Sequence, residues 1–128
     1  MRDLLVLLSD EATVRALQPN LAAVADLTRR NNIRGVTVTA AAESPDGGYD
    51  FVSRFFSPAD GIPEDPVTGS AHTALAPYWV GQLGRNGLIG LQASTRPGLV
   101  QTHVHGNRVH LTGTAVTVMD GIWLHTSR

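Results

Sequence analysis

The sequence predicts an α+β fold in which mixed, mostly antiparallel strands wrap around one buried helix. Three observations predict it. Period-two alternation recurs along the chain, first at Val36-Thr37-Val38-Thr39 and then through most of the residues beyond Leu88. The stretch 69–82 is nearly apolar all round, as a helix enclosed by other elements is. Thirteen glycines and seven prolines supply the turns that many short strands need.

Each element follows in order. The run Leu4-Leu5-Val6-Leu7-Leu8, ended by Ser9-Asp10-Glu11, reads as a buried strand. It begins with almost no lead-in, which suits a chain cut at a domain boundary. Residues 11–17 give one or two helical turns stopped before Pro19. Asn20 is placed to cap a second helix whose Leu21, Val24, Ala25 and Leu27 share a face, and which ends near Asn31-Asn32. Gly35 opens the β-branched strand 36–39. Pro45-Asp46-Gly47-Gly48 is a turn, and 49–56 is the returning strand of a hairpin. A polar, bent loop over 57–66 leads into the helix 69–82, closed by Gly84. Strands are expected over 88–94, 99–105, 108–112 and 115–124, with His105-Gly106-Asn107-Arg108 as a tight turn.

The 128 residues suit one domain, and 42% hydrophobic content allows a real core. Aromatics are only 5%, so that core is built mainly from Val, Leu, Ile and Ala. Charged residues are 16%, against about a quarter in ordinary domains, and the neutral surface this leaves suits a buried interface. A net charge of −1 with scattered cations argues against nucleic acid as a partner. The pair Arg29 and Arg30 sits where a helix C-terminus favours cations. There is no cysteine, hence no disulfide, thiolate metal site or Cys nucleophile. No apolar run approaches the roughly 20 residues that cross a bilayer, and the opening is too short and too soon acidic for a signal peptide. A cytoplasmic protein with no membrane partner is expected.

The segment Glu64-Asp65-Pro66-Val67-Thr68-Gly69-Ser70-Ala71-His72 carries the chemistry. The first amides of a helix lack internal partners and bear partial positive charge, which makes them an anion site. Gly69 admits a ligand close to the backbone, and Thr68 or Ser70 adds a hydroxyl. Asp65, fixed by Pro66, lies beside that site, so a zwitterion would place its carboxylate on the amides and its amine on Asp65. The alternative is structural: Thr68 caps the helix and the acids favour its positive end.

The segment Asp65-Pro66-Val67-Thr68-Gly69-Ser70-Ala71-His72 resembles the second-lobe signature of the phenazine-biosynthesis (PhzF-like) family. The flanks agree: Arg54-Phe55-Phe56-Ser57-Pro58, Gly61-Ile62-Pro63-Glu64, Pro77-Tyr78-Trp79, Leu83-Gly84, Gln92-Ala93-Ser94, Arg96-Pro97-Gly98, Arg108-Val109 and Gly113-Thr114-Ala115-Val116, with Arg2-Asp3-Leu4-Leu5-Val6 at the start. The resemblance implies one lobe of a diaminopimelate epimerase-like fold, a curved sheet or barrel around a central helix, with residues 1–128 as the family's C-terminal lobe. It implies that Asp65 contacts substrate, that Gly69 and Ser70 bind a carboxylate through their amides, and that His72 supports the site, so Asp65 and His72 are the candidate catalytic residues. Thr68, Gly69 and Ser70 join Asp65 as candidate substrate-binding residues. It further implies proton movement on the carbon of a small amino or hydroxy acid, without metal or cofactor.

The departure is as informative. The family's glutamate acid/base and a Gly-His helix start belong to the first lobe, and nothing here matches that lobe. Proton transfer on carbon needs a positioned acid/base pair, of which one lobe supplies half. A homodimer through a two-fold axis, or a separate first-lobe subunit, is therefore expected. A non-catalytic carboxylate-binding or interaction module, and an inactive fragment, remain the competing readings.

Other residues have plainer readings. His103 and His105 share a strand face with His110 opposite, a solvated face rather than a metal site. His125 is a surface or tag-like residue. Glu64 adjoins Asp65, but neighbours in an extended loop point apart. Tyr78 and Trp79 are packing residues, and Arg54 is expected to pair with Asp60 or Glu64.

Overall fold

A computed structural model describes residues 2–124 of the chain. His125 lies outside the described residues. Seven strands form one mixed sheet: β1 (Leu4–Leu7), β2 (Val36–Ala41), β3 (Phe51–Ser57), β4 (Ile62–Asp65), β5 (Gly87–Gln92), β6 (Gly98–His105) and β7 (Arg108–Thr112). Three helices accompany them: α1 (Glu11–Ala16), α2 (Leu21–Asn31) and α3 (Gly69–Leu83). Along the sheet the order is β1-β2-β3-β5-β6-β7, with β4 paired to β3 beside that path. The β1–β2 and β3–β5 pairs are parallel and the other four antiparallel. Each parallel pair needs a crossover, which α1 and α2 supply in the first case and β4 with α3 in the second.

Local chemistry fixes the helix ends. The Asp10 carboxylate accepts from the Thr13 amide at 2.7 Å and starts α1. Asn20 does the same for Ala23 at 3.0 Å and starts α2. Gly84, in the left-handed region at φ 71°, closes α3.

The sheet carries a core on each face. Val14, Val36, Val38, Ala40, Val52 and Phe56 pack on the side of α1 and α2. Phe51, Phe55, Ala71, Leu75, Trp79 and Leu88 pack on the side of α3. Strand β2 is therefore buried on both faces, not alternating between core and solvent. Its Thr39 is satisfied there, donating to the Val52 carbonyl at 2.6 Å and accepting from the Trp79 indole at 3.1 Å.

Five expectations are corrected. The run from Leu4 forms the edge strand of the sheet, with Leu4 and Leu7 exposed, because no strand covers its outer side. The second helix buries Ala25 and Thr28, while Leu21 and Leu27 stay in solvent. The loop over 57–66 contains β4, whose Asp65 pairs with Phe55 and whose Ile62 pairs with Ser57 across an irregular register. Helix α3 is buried along Ala71, His72, Leu75, Ala76 and Trp79 but exposed along Ser70, Thr73, Ala74 and Pro77. Small side chains on that flank make its exposure cheap. Residues 115–124, expected as a strand, are irregular and exposed, since no edge of the described sheet receives them.

Candidate active site

The segment between β4 and α3 is held from below by one buried side chain. Gln92, at the end of β5, is fully buried, and its carbonyl accepts from the Thr68 amide at 2.7 Å. Its amide group donates to the Asp65 carbonyl at 2.7 Å and to the Thr68 hydroxyl at 3.0 Å. Ser94 adds a donor to the Pro66 carbonyl at 2.9 Å. The Asp65 and Pro66 carbonyls and the Thr68 amide are thus paired, and residues 65–68 reach α3 in one shape.

Thr68 occupies the cap position of α3 but does not cap it. Its hydroxyl donates to the Asp65 carboxylate, and no side chain bonds the helix's first amides. The structural reading of Thr68 is thereby set aside. Among the described residues, the amides of Gly69, Ser70 and Ala71 have no hydrogen-bond partner. They face solvent at Gly69 and Ser70, beside Asp65. A cap hydroxyl at that point would have used one of these donors; turning it onto Asp65 keeps all three free and fixes the carboxylate's orientation.

Arg34 is the residue that sequence reasoning missed. Its Nε donates to Asp3 at 2.9 Å, its Nη2 also bonds Asp3, and the guanidinium lies 5.0 Å over the Phe55 ring. From there Nη2 donates to the Ser70 hydroxyl oxygen at 2.8 Å. The bond to Asp3 raises the guanidinium's pKa further, so a permanent cation stands beside the helix start. Because the Ser70 oxygen already accepts from Arg34, its proton is free to be donated to a ligand. No sequence signal joins Arg34 to Ser70, 36 positions apart. Asp3 and Gln92 were visible only as flanking residues of the family pattern.

His72 lies beneath the site and not in it. It is fully buried on the first turn of α3, and its Nδ1 sits 2.8 Å from the Thr68 carbonyl. Taking that contact as Nδ1–H donating, Nε2 is an unprotonated acceptor with no partner among the described residues. Phe51 lies against the ring at 6.0 Å between centroids. A side chain on Gly90 would run into the Phe51 ring first and come to 3.0 Å from Nε2, so that glycine makes room for Phe51 and, less tightly, for the imidazole. Burial lowers the His72 pKa, against a smaller opposite pull from the Thr68 carbonyl. His72 as placed supports the helix start from beneath, with its ring fully buried.

Glu64 points the other way from Asp65. Arg54 holds its carboxylate with two bonds, at 2.7 and 3.0 Å, and also donates to the carbonyls of Leu17 at 2.7 Å and Val14 at 3.2 Å. The expected Arg54 ion pair is formed with Glu64, not with Asp60, and Glu64 is occupied by it.

The remaining candidates fall elsewhere. His103 sits directly opposite His110 on β6 and β7, and His105 lies 6.4 Å from His110 between ring centroids. Among the described residues, no group of three or more His, Asp or Glu is arranged to hold a metal ion. Trp79 stacks on Phe51 at 5.8 Å and meets Tyr78 edge-on, both as packing residues. Among the same residues no helix is long and apolar enough to cross a membrane.

The phenazine biosynthesis-like family model matches residues 1–121. The chain belongs to this family. A protein of Pseudomonas aeruginosa named as an uncharacterized isomerase is 45% identical over 119 residues, covering 93% of this chain and 43% of that protein. A similarly named isomerase of Halalkalibacterium halodurans is 42% identical over 117 residues, covering 91% of this chain and 42% of its own length. The crystal structure of a phenazine biosynthesis PhzF-family protein from Enterococcus faecalis superposes with a TM-score of 0.79 at 43% identity, over 88% of this chain and 40% of that one. A PhzC/PhzF protein from Clostridium difficile gives 0.80 at 38% identity, over 95% and 44%. The chain therefore spans less than half the length of the relatives it matches. Its curved seven-stranded sheet with α3 is one lobe of that larger architecture.

Proposed function

We propose that this lobe binds the carboxylate of a small amino or hydroxy acid at the start of α3 and contributes Asp65 to a proton transfer on that acid's carbon. The observation that carries the reading is the Thr68 hydroxyl turned onto Asp65, which leaves the amides of Gly69, Ser70 and Ala71 free beside an oriented carboxylate. The named isomerases among the relatives support the reaction class. The carboxylate accepts from the Gly69 and Ser70 amides and the Ser70 hydroxyl, with Arg34 adding positive charge. An amine or hydroxyl on the same carbon donates to Asp65. Developing negative charge on the acid is then met by donors already in place.

Moving a proton on carbon takes one group to remove it and one to return it. This chain brings Asp65 to the start of α3, while Glu64 is tied to Arg54 and His72 is buried. The second acid/base group belongs to a further lobe, which the described residues do not include. The chemistry is read as cofactor-independent, in the cytoplasm, where a chain without cysteine needs no oxidising environment.

Hydrogen exchange at carbon tests this. Small 2-amino and 2-hydroxy acids incubated in deuterium oxide with the protein are followed by loss of the Cα–H proton signal. At least one acid is expected to exchange with wild-type protein and none with Asp65→Asn. Exchange that survives Asp65→Asn would refute the role given to Asp65. Saturable binding without any exchange favours the non-catalytic carboxylate-binding module.

A further inference from the structure

Three polar side chains lie in one row across the middle of the sheet. Ser53 on β3 is paired in register with Thr39 on β2 and with Gln92 on β5. Thr39 and Gln92 are fully buried and Ser53 is 1% exposed. Side chains opposite one another on neighbouring strands share a face. The outer two of the row bond to α3: Thr39 accepts from the Trp79 indole at 3.1 Å, and Gln92 holds the Thr68 amide and hydroxyl. Ser53 stands between them and faces α3 as well, as do Phe51 and Phe55 two residues to either side.

Among the described residues, two buried side-chain polar atoms have no hydrogen-bond partner: the Ser53 hydroxyl oxygen and Nε2 of His72. Protein interiors pair the large majority of such atoms. These two are complementary. The hydroxyl is a donor and, with Nδ1–H turned to the Thr68 carbonyl, Nε2 is an acceptor. They are also neighbours in the fold. His72 lies one turn beyond Thr68 on the helix face that meets the sheet. Its Nε2 is 3.0 Å from the place a Gly90 side chain would take, and Gly90 pairs with Phe51, two residues before Ser53. Both residues are buried by this lobe's own strands and helix, so their pairing does not wait on a further lobe.

We infer that Ser53 is a positioning residue for the start of α3: its hydroxyl bonds His72 Nε2, by a turn of its own rotamer or through one enclosed water, and fixes the tautomer whose Nδ1–H holds the Thr68 carbonyl. Thr68 is then braced from two sides, by Gln92 at its amide and hydroxyl and by the Ser53–His72 pair at its carbonyl. The Gly69 and Ser70 amides follow Thr68 in the chain, so the pair sets where they point. That these amides bind a carboxylate is the reading proposed above; the Ser53–His72 bond stands apart from it.

Imidazole nitrogen spectra of histidine-labelled protein at neutral pH, together with a double-variant cycle in urea, test the link. In wild-type protein the unprotonated Nε2 is expected at the position of a hydrogen-bonded acceptor, and Ser53→Ala moves it to that of a free one. In Ser53→Ala the Thr68, Gly69 and Ser70 amide signals also move, although Ser53 touches none of them. Ser53→Ala and His72→Phe each strand one partner. The product of their separate effects on the unfolding constant therefore exceeds the effect of the double variant at least about threefold. Magnetisation transfer from water to the His72 ring marks the bridged form of the bond, and its absence the direct one. A wild-type Nε2 signal at the free position, or one that Ser53→Ala leaves in place, overturns the inference. Effects that simply multiply in the cycle, or helix-start amides that do not move, overturn it as well. No ligand is added, so failure of the carboxylate site in its own titration leaves this result standing.

Discussion

The side chain of Gln92 and the backbone of Thr68 are locked together, carbonyl to amide at 2.7 Å, while the same side chain donates to the Thr68 hydroxyl at 3.0 Å. A buried glutamine with all of these bonds made sets the angle at which the chain enters α3. Replacing it by Leu keeps the volume and strands the Thr68 amide and the Asp65 carbonyl. Unpaired buried groups cost about 1–3 kcal/mol each, so Gln92→Leu is expected to destabilise the fold by about 2–6 kcal/mol. Urea denaturation measures it, and an unchanged midpoint would contradict the clamp.

Stability should depend on pH through His72. Burial holds its folded pKa below the ordinary value. As pH falls below about 6.5, the unfolded chain takes up a proton that folded His72 refuses. Stability is thus fully present above that pH and declines below it, by up to about 1.4 kcal/mol per pH unit, until the folded pKa is reached. Urea midpoints between pH 5 and 8 should show this slope in wild-type protein and a shallower one in His72→Gln. Equal slopes would place the titration elsewhere.

The fold was legible where one residue decides it locally. Asn20 announced its helix, Gly84 closed α3, and Gly106 with Asn107 made the β6–β7 turn. Failures came where tertiary partners decide. Residues 115–124 have the composition of a strand and no strand to pair with in the described structure, so pattern alone misplaced them. Leu21 and Leu27 fall on the apolar side of a helical wheel, yet α2 turns Ala25 and Thr28 to the sheet. The site was half legible. Asp65, Gly69 and Ser70 stand together in sequence and in space, whereas Arg34 arrives from the loop before β2 and Gln92 from the end of β5, neither with a local signature of that contact.

Glu64 and Asp65 are neighbours with separate roles. Arg54 and Glu64 are largely buried and doubly bonded. Glu64→Gln should cost about 1–2 kcal/mol of stability, since partial exposure screens the pair, and leave carboxylate binding at α3 unaltered. Denaturation and ligand titration on the same variant separate the two effects. A loss of binding at unchanged stability would move Glu64 into the site.

The most direct measurement is a proton–nitrogen correlation spectrum of the labelled chain titrated with a small 2-amino acid such as alanine. The Gly69 and Ser70 amide signals are expected to shift saturably. In Asp65→Asn, loss of one charge-assisted bond worth about 1.5–3 kcal/mol weakens the binding at least roughly tenfold. Signals at these two amides that stay still, or that shift equally in Asp65→Asn, would contradict a site formed by the start of α3 and Asp65.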